Sequence, residues 1–254
     1  MDDVVVHCVV ERAIATVTLD DPQRRNALSA RLVEQLAEHL QRAGGDPGVR
    51  AVVITHTGST FSAGADLKES AIPGGPARGT ARTLALLQQI VELPKPVVAR
   101  VDGHVRAGGI GVVAACDIAV VGPAATFAFT EVRLGVAPAL ISLITLNRMT
   151  ERATARYFLT GETFPGQVAA ATGLATAAVE DTEAEVATIC DALRLGSPQG
   201  LAESKSLTTA RTRRAIAQLG ESTRSLSQRL FESTEAAEGM QALREKRPPS
   251  WAAG

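Results

Sequence analysis

The chain has 254 residues, 45 % of them hydrophobic and 21 % charged, with a formal net charge of −1. It is long enough for a sizeable core, and its charge balance gives no reason to expect nucleic acid or an anionic membrane as partner. Cys8, Cys116 and Cys190 are odd in number, widely spaced and without a C-x-x-C pair, so neither a disulfide framework nor a zinc site is indicated.

Val4–Val10 and Ala13–Leu19 read as two strands joined at Glu11-Arg12. Leu32, Val33, Leu36, Ala37 and Leu40 fall at helical spacing, with Ser29 as N-cap and Gly44-Gly45 as the stop. Ala51–Thr55 and Pro96–Val101 are short runs of buried-strand type. Between them a helix is expected around Thr80–Leu93, preceded by a loop over Glu69–Thr80 whose prolines and glycines break regular structure. Ile118–Val121 and Phe127–Phe129 make two further strands. Alternation of strands and helices indicates an α/β fold with much parallel pairing. After about residue 185 the pattern is helical almost to Trp251. One α/β core over 1–190 with a C-terminal helical region over 191–254 is the expected organisation.

The start Met1-Asp2-Asp3 is acidic, against a secretory or transit peptide. The longest apolar stretches, near 107–121 and 134–146, are broken by Asp117 or too short to span a bilayer. A cytoplasmic protein in a reducing compartment is expected.

The glycine-rich run Arg106-Ala107-Gly108-Gly109-Ile110-Gly111 formally matches a dinucleotide fingerprint, Gly109-x-Gly111-x-x-Ala114, with Glu131 about twenty residues on. Its context is wrong for that function. A nucleotide-binding turn follows its strand directly and opens a full crossover helix, whereas several residues separate Val101 from these glycines and only a short helix fits before Ile118. Two readings stay open. Gly108-Gly109 starts a short helix whose first N–H groups are bare enough to meet a ligand oxygen, or the glycines merely permit close packing. Ser62-Ala63-Gly64-Ala65 is equally bare and follows a strand and turn. Two such segments converging on one oxygen would form an oxyanion hole, in which each donor is worth roughly 2.7–4 kcal/mol of barrier. Glu131 is a lone acid with two local readings, a proton carrier or a surface partner of Arg133.

These segments resemble the enoyl-CoA hydratase/isomerase (crotonase) family along nearly the whole chain. Asp21–Leu28 looks like its early CoA-contacting loop, and Phe61–Lys68 and Asp102–Asp117 like its two oxyanion segments. Thr130–Gly135 with Pro138 resembles the segment carrying a catalytic acid, and Glu238-Gly239-Met240 with Glu245-Lys246-Arg247 the C-terminal signature. The resemblance implies a spiral of repeated β-β-α units with a C-terminal helical extension that assists trimer formation, as a homotrimer or homohexamer. It also implies an acyl-CoA substrate whose thioester oxygen receives N–H bonds from Ala65 and Gly108, with Glu131 as acid/base. CoA would run past Arg25, Ala27, Ala63, Asp66 and Leu67, and Lys246 would reach it from the C-terminal segment, of the same subunit or a neighbour. No metal or redox cofactor follows, CoA being part of the substrate.

One departure stands out. Two-carboxylate hydratases of the family place a second glutamate at the position of Gly111, while one-carboxylate members include isomerases. The segment Glu131–Ser142 looks closest to bacterial proteins resembling methylglutaconyl-CoA hydratase. Three functions are therefore carried forward: hydration of a 2-enoyl-CoA, double-bond isomerisation through Glu131 alone, and acyl-CoA binding with little catalysis. Arg106 could face a polar acyl group or make an intrachain or subunit-interface ion pair. His104 could replace the missing acid or point elsewhere.

Overall fold

Val6–Glu11 (β1) and Ile14–Leu19 (β2) pair antiparallel around a tight turn in which Arg12 and Ala13 both take positive φ. The computed structural model describes residues 4–252; the acidic start Met1–Asp3 lies outside them. Ala30–Gly45 (α1) follows, and Ser29 caps it by accepting from Leu32 N–H. Its apolar face, Leu32, Val33, Leu36 and Leu40, is fully or almost fully buried against the sheet.

The next elements repeat a unit. Ala51–His56 (β3) and Thr60–Ser62 (β4) precede Leu67–Ser70 (α2) and Gly75–Glu92 (α3). Val97–Val101 (β5) and His104–Arg106 (β6) precede Gly108–Ala115 (α4). Ile118–Val121 (β7) and Thr126–Ala128 (β8) precede a 3-10 turn over Thr130–Leu134 and then Ala139–Thr145 (α5). In each unit the first strand joins one sheet and the second strand another. The larger sheet has the order β1-β2-β3-β5-β7 and ends on Ala177–Ala178 (β10), parallel from β2 onward. The smaller sheet is β4-β6-β8, parallel, closed by the antiparallel Phe164–Pro165 (β9). This is the expected α/β spiral of β-β-α units. Glu151–Thr160 (α6), Gly166–Ala171 (α7) and Thr182–Leu195 (α8) complete the sheet-bearing part.

Pro198–Phe231 (α9) is 34 residues long and lies along α3 and α5, with Ile216 entering the main core. Thr234–Glu245 (α10) turns back over the 3-10 turn. No described helix is long and apolar enough to cross a membrane.

The loop expected over Glu69–Thr80 is corrected here. Helix α3 begins at Gly75, with Gly74 in the left-handed region as its N-cap and Pro76 in its first turn. Proline is favoured there because its missing N–H has no intrahelical acceptor to lose. Gly79 sits inside the helix, where a sequence reading takes it for a breaker.

Candidate active site

The site starts from a buried amide. Asn26 takes a left-handed φ of 49° and is 0 % exposed. Its Nδ2 donates to Thr57 O (3.2 Å) and Thr60 O (2.7 Å), while Oδ1 accepts from Asp21 N–H (2.7 Å). The two donated bonds pin the loop 21–28 over the β3–β4 corner, and the accepted one closes the loop on itself. Ala63 N–H then donates to Arg25 O (2.9 Å) and Leu28 N–H to Gly64 O (2.8 Å), so Arg25, Ala27, Ala63 and Ala65 form one continuous edge.

Leu28 pairs in parallel with Ala65 through Gly64 O. In that pattern the ladder bonds go to the neighbours of Ala65, which leaves the Ala65 N–H directed away from Leu28. The second segment comes close because two positions lack side chains. Gly64 has φ +85°, and a side-chain carbon there would stand 2.9 Å from Arg106 O and 3.1 Å from Gly108 N. One at Gly109 would stand 2.7 Å from Ser62 Cβ. Ala107 precedes α4 at φ 47°, ψ −123°, an unusual conformation for a residue with a Cβ. Gly108 opens α4, where the first N–H groups have no intrahelical acceptor.

Glu131 lies in the 3-10 turn, whose Gly135 end is left-handed, and both Gly135 and Val136 donate to Glu131 O. Its side chain is buried, and Oε2 has no hydrogen-bond partner. Burial pushes its carboxyl up to about 7, with its own backbone N–H pulling weakly the other way. The alternative pairing with Arg133 is not made; Arg133 Nη2 donates to Thr160 O (3.4 Å). Helix α10 rests directly on this turn: a side-chain carbon at Gly239 would stand 2.6 Å from the Leu134 carbonyl carbon and oxygen.

At Gly111 the structure leaves no room for an acid. A side-chain carbon there would overlap Ile141 Cγ2 and stand 3.4 Å from Leu87 Cδ2. Arg106 is already engaged, its Nη1 donating to Val105 O (2.9 Å) and Thr126 O (2.7 Å) and its Nη2 to Thr126 Oγ1 (3.0 Å). His104 is exposed and its Nδ1 also meets Thr126 Oγ1 (2.9 Å). Arg106 nevertheless lines the same cavity as Glu131, whereas His104 does not line it and so does not take the place of a second acid.

A cavity of about 800 Å³ is lined by Ala65, Gly108 and Glu131 together with Arg25, Ala27, Ala63, Asp66 and Leu67. Asp66 also caps α2 by accepting from Lys68 N–H (2.8 Å). Lys246 is not among the lining residues; its neighbour Arg247 is, held in a two-pronged pair with Glu238 (2.7 and 2.9 Å) that drives the Glu238 carboxyl down to about 2. The sequence reading missed Ile141 and Phe231 as wall residues. Phe231 was within reach, as one of few aromatics in a helical C-terminal region. Ile141 was not, because it depends on where α5 packs. Among the described residues no three His, Cys, Asp or Glu side chains gather as a metal site would.

Known proteins share this fold. The family model for enoyl-CoA hydratase/isomerase matches residues 10–254. The crystal structure of an enoyl-CoA hydratase from Mycobacterium avium superposes with a TM-score of 0.92 at 47 % identity, covering 98 % of this chain and 99 % of that one. An enoyl-CoA hydratase structure from Mycobacterium smegmatis gives 0.79 at 29 % identity, covering 99 % and 100 %. A Thermus thermophilus protein provisionally named enoyl-CoA hydratase is 34 % identical over 93 % of this chain and 96 % of its own length.

Proposed function

This chain belongs to the enoyl-CoA hydratase/isomerase family, and from that premise we propose that it adds water across the double bond of a 2-enoyl-CoA thioester. The reading rests on one observation: a buried, unpartnered carboxyl, Glu131, lines the same cavity as two converging backbone segments at Ala65 and Gly108.

The chemistry balances with one acid. Glu131 as carboxylate takes a proton from water while the water oxygen bonds to Cβ of the acyl chain. The double-bond electrons move toward the thioester oxygen, where the N–H groups of Ala65 and Gly108 stabilise the enolate. Glu131 then returns its proton to Cα. A carboxyl near 7 populates both states at neutral pH, as a group that must accept and then donate requires. No cofactor enters this sequence, CoA being part of the substrate.

The CoA portion is assigned to the edge formed by Arg25, Ala27, Ala63, Asp66 and Leu67; Lys246, which does not line this cavity, is assigned to the CoA site of a neighbouring subunit. A branched or functionalised enoyl chain is the substrate class, on the likeness of Glu131–Ser142 to methylglutaconyl-CoA hydratase-like proteins. Residues 191–254 are assigned to trimer formation and pocket closure. Exposed Leu207 and Leu219 on α9 support association, and sedimentation would measure it.

A second reading is favoured by the Gly111–Ile141 contact, which removes one of two water-holding groups. Glu131 would then move a proton along a 3-enoyl chain with no change of mass. Parent protein and Glu131→Gln, each given crotonyl-CoA, 3-methylglutaconyl-CoA and a 3-enoyl-CoA, separate the readings by product mass. A product heavier by one water, lost in the variant, supports hydration. An isomer of unchanged mass, lost in the variant, replaces it with isomerisation. Tight thioester binding with no Glu131-dependent turnover leaves an acyl-CoA-binding protein.

A further inference from the structure

Helix α4 carries the Gly108 donor yet has nothing of its own to hold it in place. Its eight residues are glycine, alanine, valine and isoleucine, buried from Gly109 to Ala115, so no side-chain hydrogen bond can fix its tilt or axial position. Such a helix is positioned by packing and by its two ends. The front end abuts Gly64 and Ser62. At the rear, the last carbonyls of a helix lack intrahelical donors.

Arg148 supplies those donors. Its Nε donates to Ala114 O (3.1 Å) and its Nη2 to Cys116 O (3.0 Å), and a cation at a helix C-terminus is also favourable to the helix dipole. Arg148 comes just after α5, its own N–H bonded to Thr145 O (3.1 Å), and its carbonyl lies against Gly173. Helix α5 follows the Glu131 turn and carries Ile141, which packs on Gly111 of α4. One guanidinium thus ties the rear of the helix bearing Gly108 to the rear of the helix that follows Glu131.

We infer that Arg148 is a positioning residue for the thioester oxygen site, acting through α4 to set where the Gly108 N–H stands relative to Glu131. The inference rests on the oxyanion role proposed for Gly108. Hydrogen-bond strength falls steeply with misalignment, and small misplacements of reacting groups are costly to rate. CoA contacts lie on the 21–28 and 63–67 edge, away from Arg148, so its loss should act on turnover rather than affinity.

The test uses Arg148→Met, which keeps the aliphatic stem, and Arg148→Lys, which keeps the charge but cannot bridge both carbonyls with a planar fork. Turnover of the substrate identified above and the melting temperature are measured for each. Infrared spectra record the carbonyl stretch of bound butyryl-CoA labelled with carbon-13 at the thioester. The expected result is a kcat lower by about tenfold or more in Arg148→Met with KM within about twofold, and an intermediate loss in Arg148→Lys. The bound carbonyl stretch should move back toward its value in water in the same order. Folded variants with parent kcat and an unchanged carbonyl stretch would overturn the role of Arg148. Parent protein that binds the thioester without shifting its carbonyl stretch would remove the oxyanion site itself, and this role with it. A lower melting temperature alone, with carbonyl stretch and kcat intact, reduces Arg148 to a stabilising contact and also overturns the inference.

Discussion

Ile141 occupies the space that any side chain at Gly111 would require, its Cβ 3.2 Å from the missing carbon and its Cγ2 closer still. The absent second acid is therefore a packed wall between α4 and α5. Gly111→Ala should destabilise the protein by about 1–3 kcal/mol through overpacking, against which helix propensity returns about 1 kcal/mol. Ile141→Val should be milder alone and should relieve Gly111→Ala when combined, a coupling measurable by urea denaturation of the double-mutant cycle. Additive effects would place the two side chains out of contact. Gly111→Glu should gain hydration over isomerisation only when Ile141 is also reduced to alanine.

The raised Glu131 carboxyl gives stability a pH dependence of known sign. Between 4.5, its ordinary value, and about 7 the folded chain keeps a proton that the unfolded chain has released. This contribution is complete below that window and is lost as pH rises through it, the whole loss coming to about 3 kcal/mol above it. Glu131→Gln should abolish the slope and be more stable than the parent above pH 7, as read by melting temperature across the range. In the parent, kcat/KM should rise with pH through about 7 as the base form appears. A stability difference between parent and variant that does not change with pH would show that Glu131 is solvated.

Asn26 tests the CoA edge without touching the acid. Asn26→Ala strands Thr60 O in a buried place and frees the half-buried Asp21 N–H, while Thr57 O keeps His56 Nδ1, a loss of about 1–3 kcal/mol for each group left unpaired by water. Since the 21–28 loop then loosens, KM for the thioester should rise while kcat stays near the parent value. A kcat loss at constant KM would move this loop from binding to chemistry.

Gly239 supports the acid from behind. Gly239→Ala would drive a methyl into the Leu134 carbonyl and lift α10 from the Glu131 turn. The expected outcome is a kcat lower by about tenfold, with the pH midpoint of kcat/KM moving down toward ordinary carboxylate values as water reaches the side chain. An unchanged midpoint would mean that α10 does not seal the turn.

Much of this arrangement was legible in the residues. Ser29 and Gly44-Gly45 bound α1 as their side chains and flexibility dictate, and the strongly β-branched runs at 51–55 and 118–121 became strands β3 and β7. The bare segments at Ala65 and Gly108 do converge, because Gly64 and Gly109 admit backbone where other residues would collide. Strands β4, β6 and β9 escaped notice, being two or three residues long with no room for a period-two pattern. Helix α3 began five residues early because Gly74 and Pro76 form a helix start as readily as a loop. That Ile141 faces Gly111, or that Arg247 rather than Lys246 meets the cavity, depends on packing between distant segments that no local pattern encodes.

The cavity walls run from Gln23 to Pro249, almost the full span of the chain. A bound thioester therefore clasps early and late segments at once, and it stabilises only a molecule in which both have docked. During synthesis the N-terminal loop emerges long before α10, and domains fold as their residues become available. Competence to hold the thioester should appear abruptly, once α10 has left the ribosome and docked. The ligand would then serve as a reporter of chains in which α10 has docked, blind to those lacking it however well their sheets are formed.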